Sequence, residues 1–121
     1  MAKSLFFAPT SIDSGLTSVC LGLLRALERV GVSVGFYKPF CQTVHRAESR
    51  HNAGQDSSVA FVRASSHLNP PDPIALREAQ HLLNRGKSDY LLETVVGEYQ
   101  KVARDVDVVI IEGLVPDRSE A

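Results

Sequence analysis

Neither sign of charge is in surplus: 13 Lys and Arg stand against 14 Asp and Glu, a formal net charge of −1 with pI near 6.4. With no dense Lys/Arg cluster, that balance argues against a nucleic-acid-binding stripe. The most basic stretch, residues 45–51, is diluted by Glu48 and reads as a solvated loop rather than an anion site. No apolar run approaches the roughly 18 residues of a membrane span. The start holds one Lys and a few apolar residues before Pro9, too little for a signal-peptide core of about 7–15 residues. A cytoplasmic location is therefore expected. Cysteine is limited to Cys20 and Cys41, which form no C-x-x-C pair. Free thiols are expected, with Cys20 a small core residue on a helix. His45, His51, His67 and His81 lack the local spacings of common metal sites. There is also no internal repeat, low-complexity tract or interdomain linker, so residues 1–121 are read as one unit. What is present is ordinary for a soluble globular chain: 44% apolar and 22% charged residues, enough to bury a core.

Apolar periodicity gives the elements. Residues 4–8 form a short apolar run ended by Pro9, a first strand. A small, polar loop covers residues 10–15. A helix then runs from about Leu16 to Val30, with Cys20, Leu23, Leu24, Leu27 and Val30 on one stripe and Gly31 placed as a left-handed cap. Residues 32–38 read as a second strand stopped by Pro39, completing a β-loop-α-β unit. Residues 40–55 are irregular, and Asp56 or Ser57 is placed to cap a short helix through Ala64. After the proline-rich loop at residues 69–73, a helix is expected over residues 74–85 with Leu76, Ala79, Leu82 and Leu83 inward. Another follows over residues 88–104, with Leu91, Leu92, Val95, Tyr99 and Val102 inward and Gly97 a weak point. The run from Val106 to Ile111 is β-branched without alternation, the mark of a parallel strand covered on both faces.

The chemistry concentrates between the first strand and the first helix. Residues 10–18 lie where a P-loop, G-x-x-x-x-G-K-[ST], would cradle phosphate with backbone N–H groups at a helix N-terminus. Gly15 and Thr17 fit, and Ser18 follows them; Thr10 takes the first glycine position and Leu16 the lysine position. An isobutyl group in place of the ammonium removes a charge contact worth several kcal/mol in a shielded site. Asp13 adds repulsion toward phosphate. Two readings stay open: a degenerate phosphate loop of Thr10, Gly15, Thr17 and Ser18, or a helix start capped by small polar residues.

Pro9-Thr10, Gly15-Leu16-Thr17-Ser18-Val19 and Leu21-Gly22 together resemble the P-T-x-x-x-x-G-L-T-S-V-x-L-G opening of long-type phosphate acetyltransferases. Tyr37-Lys38-Pro39-Phe40 with Gln42 is similar to that family's second-strand ending. Val62-Arg63-Ala64 is similar to its V-R-A step, and Glu112-Gly113-Leu114-Val115-Pro116 to its E-G-L-V-P. The order is kept across nearly the whole chain. The departures are Ser11, where the family often has Gly, and a longer loop at residues 43–55. The chain also resembles dethiobiotin synthetase. That likeness implies Thr17, Asp56 and Glu112 as Mg²⁺ ligands, and Lys38 as a phosphate contact alongside the loop residues. Each has a plainer role: a first-turn helix residue, a cap, and a strand-end Glu112 paired with Lys38.

The resemblance implies a three-layer, P-loop-like parallel sheet of the dethiobiotin-synthetase kind, incomplete in this chain. It implies no catalytic residue and no cofactor here, CoA and acetyl-CoA belonging to an acyltransferase domain elsewhere in the enzyme. The implied partners are the remainder of the same polypeptide, further copies in a homo-oligomer and a small-metabolite effector, with neither nucleic acid nor membrane. An ATP-dependent ligase and a ligand-free interaction module are the competing readings. The Val106–Ile111 run is expected between neighbouring strands in the complete domain, and in this segment one edge of the sheet is expected to present unpaired backbone groups beside exposed Val and Ile side chains, with marginal stability and self-association of the segment alone.

Overall fold

A computed structural model describes residues 2–8, 15–42 and 57–114. The order is β1 (Lys3–Phe7), α1 (Leu16–Arg29), β2 (Val34–Tyr37), β3 (Phe40–Cys41), α2 (Ser57–Ser65), β4 (Ile74–Ala75), α3 (Leu76–Asn84), α4 (Ser88–Ala103) and β5 (Val108–Glu112). β1, β5 and β2 form a parallel sheet in that order, with Leu5 opposite Ile110 and Phe36 opposite Ile110 across the other ladder. The β-branched run thus takes the central place its composition requires, because only there do both edges find a ladder and both faces a cover.

Strand alternation separates the two faces. Val34, Phe36 and Ile110 join Cys20 and Leu24 of α1 and Val59 and Val62 of α2 in one buried cluster. The opposite face carries Gly35 and Tyr37, against α4. Tyr37 donates its hydroxyl to the Val95 carbonyl at 2.9 Å, and its ring meets that of Tyr99. Gly35 is a close-approach position: a Cβ there would stand 2.8 Å from Val102 Cγ1. Helices on both faces of a parallel sheet make the three-layer α/β arrangement of the P-loop-like class, here a partial sheet of three strands.

Local signals account for the element ends. Gly31 has φ of +87°, its N–H bonds the Glu28 carbonyl, and Val32 N–H bonds that of Leu27. This is a Schellman closure. The same closure recurs at Gly86, with Gly86 N–H to Leu83 and Lys87 N–H to Leu82. Arg63 of the V-R-A step holds the proline-rich loop, donating to the Pro70 carbonyl at 2.6 Å and pairing with Asp72 at 3.1 Å.

Several expectations need correction. Val30 is the exposed C-cap of α1, outside the buried stripe, because Gly31 turns the chain away there. Leu83 and Leu92 are exposed: each lies one helical step, about 100°, from the neighbour that is covered, Leu82 and Leu91. Ile74 and Ala75 do not begin the helix but pair in parallel with Phe40 and Cys41, seeded by Ile74 N–H to the Pro39 carbonyl at 2.8 Å. Residues 32 and 33 precede β2 rather than belonging to it. No helix among the described residues is long and apolar enough to cross a membrane.

Candidate functional site

Parallel strands present their C-terminal ends on one side of a sheet, where loops and helix starts converge. Glu112 closes β5, Lys38 follows β2, Thr17 is the second residue of α1, and Ser58 lies in the first turn of α2. All four meet. Thr17 Oγ1 donates to Glu112 Oε1 at 2.7 Å, and Lys38 Nζ lies 3.3 Å from Glu112 Oε2. Thr17 Oγ1 and Ser58 Oγ are 2.9 Å apart, and Lys38 Nζ donates to Ser58 Oγ at 3.3 Å.

Proton inventory fixes the directions. A threonine hydroxyl has one proton, which goes to the Glu112 carboxylate, so Ser58 must be the donor to Thr17. The result is a closed ring: Lys38 to Ser58, Ser58 to Thr17, Thr17 to Glu112, and Glu112 back to Lys38 by an ion pair. The side chains of Lys38 and Glu112 are 11% and 5% exposed. The charge pair is therefore desolvated, which is costly unless each partner keeps the other. Cys20, one turn along α1 from Thr17, has its thiol pushed up to about 11 by burial and then by the Glu112 charge.

The structure brings Thr17, Lys38 and Glu112 together as the P-loop reading requires, and in the paired form that was the plainer alternative. Gly15 is the left-handed N-cap of α1 at φ +75°, and Ser18 is exposed beside Thr17. Thr10 and Asp56 lie outside the described residues. Leu16 is half-buried and packs against the core, so the P-loop lysine position points into hydrocarbon. Among the described residues no group of three or more His, Cys, Asp or Glu is placed to hold a metal. Sequence reasoning missed Ser58; Val59 and Val62, both fully buried, set the rotation of α2 and so bring Ser58 inward. A groove of about 260 Å³ opens beside the ring, lined by Thr17, Ser18, Ser58 and Phe61. Hydroxyls and an aromatic edge can bind; no general base or activated nucleophile stands among them.

The family described as "AAA domain" matches residues 3–119. Phosphate acetyltransferase of Pseudomonas aeruginosa is 45% identical over 113 residues, which is 93% of this chain and 15% of that protein. The Deinococcus radiodurans phosphate acetyltransferase is 44% identical over 113 residues, with the same coverage of each chain. The one from Escherichia coli strain K12 is 35% identical over 119 residues, covering 98% of this chain and 16% of that protein. The chain thus spans about 15% of the length of the curated relatives it matches. By the family match, the parallel α/β sheet and the retained motif order, the chain belongs to the AAA domain family, in the form that opens long-type phosphate acetyltransferases.

Proposed function

We propose that this chain is the non-catalytic regulatory or assembly segment of a phosphate acetyltransferase. The intact enzyme would interconvert acetyl-CoA and phosphate with acetyl phosphate and CoA. One observation carries the non-catalytic part: Leu16 points into the core while Thr17 and Glu112, the would-be Mg²⁺ ligands, are held by Ser58 and Lys38. For Mg²⁺ to enter, Glu112 must give up both Thr17 and Lys38, with no cation at position 16 to compensate at the phosphates. The ATP-dependent ligase reading needs that charge and is disfavoured by the same geometry. The names of the relatives support the acetyl-transfer context. In this reading CoA and acetyl-CoA act on another domain, the partners are the rest of the polypeptide and further copies, a small metabolite is the effector, and the enzyme is cytoplasmic.

Two assays test it. The full polypeptide should release CoA from acetyl-CoA in a phosphate-dependent way, and the 121-residue segment should not. Calorimetric titration of the segment with ATP-Mg²⁺ should give a Kd above about 1 mM, and Leu16→Lys should restore little affinity. Acetyl transfer by the segment alone, or low-micromolar ATP binding, would refute the reading.

A further inference from the structure

We draw no further inference here: the strongest candidate, the groove that Thr17 and Ser18 of α1 line with Ser58 and Phe61 of α2, belongs to the site already described, its Thr17 and Ser58 hydroxyls serving the ring with Lys38 and Glu112.

Discussion

Replacing Glu112 by Gln keeps the shape of the side chain and an oxygen for Thr17 but removes the charge that Lys38 faces 3.3 Å away. Removing one partner of a buried pair costs about 3–5 kcal/mol. The lower end applies here, since the amide can still accept from Thr17 and the Lys38 stem can bend toward solvent. A chain of 121 residues has an unfolding entropy of roughly 0.25 kcal/mol/K, so a loss of about 3 kcal/mol corresponds to a fall in Tm of about 12 °C. Lys38→Met should be destabilising as well, because it leaves Glu112 without the 3.3 Å ion pair. The double variant Lys38→Met/Glu112→Leu should recover to within about 1 kcal/mol of the parent, since apolar replacement of a whole buried pair is often neutral. Urea and thermal unfolding at pH 7, followed by circular dichroism and with Glu112→Leu as the matching single variant, close the double-mutant cycle. A Glu112→Gln protein within about 0.5 kcal/mol of the parent, or a double variant that loses the sum of the single losses, would refute the buried-ring argument.

Two groups predict alkaline sensitivity. Cys20 is pushed from 9.0 to about 11, chiefly by burial, and Tyr37 from 10.0 to about 12 by burial and then the Glu98 charge. Both folded values exceed the unfolded ones. The unfolded chain therefore gives up these protons first, and the stability they contribute is full below about pH 9 and lost as pH rises toward 11 and 12. Denaturant melts from pH 7 to 11 should show that decline, reduced in Cys20→Ala; a flat profile would contradict it. Gly35→Ala should destabilise by about 1–3 kcal/mol, because the new methyl meets Val102 side chain and backbone at 2.8 and 3.2 Å. Gly97→Ala, with nothing within 4 Å of its Cβ, should stabilise α4 by about 0.5–1 kcal/mol. Opposite signs in one melting experiment are the expected result, and equal signs would show that α4 packs differently.

The fold was legible where one physical signal dominated. The β-branched run at β5 required cover on both faces, and it sits between β1 and β2. Gly31 announced the end of α1 because a left-handed position needs a residue without Cβ. Neighbouring leucines were not legible. Leu91 and Leu92, or Leu82 and Leu83, carry the same hydrophobicity, and which is covered depends on the width of the sheet and on α3–α4 packing. The β3–β4 pairing was hidden for another reason: its two-residue strands carry no periodicity, and a contact over more than thirty residues of chain fixes it. Among the described residues the sheet ends at β1 and at β2, and the exposed apolar side chains at its β1 end are Leu5 and Phe6 rather than Val or Ile, because β5 takes the centre and is the better covered.

The candidate site shows how much a motif says without its surroundings. The letters around Gly15, Leu16 and Thr17 describe a phosphate loop that has lost its cation, and they leave open what the remaining polar groups do. Their partners answer that. Leu16 packs against the core, and Lys38 is held by Glu112 and Ser58. A ring of four side chains, from α1, α2, β5 and the residue after β2, ties the C-terminal side of the sheet to helices of the α1 face at the point where a nucleotidase would open for its ligand. Each group is spent on a neighbour, so entry of a phosphate or a divalent ion requires breaking a desolvated ion pair before any new bond forms. Leu16 and the ring therefore act in the same direction. The first withholds the charge that would attract a nucleotide, and the second raises the cost of making room for one.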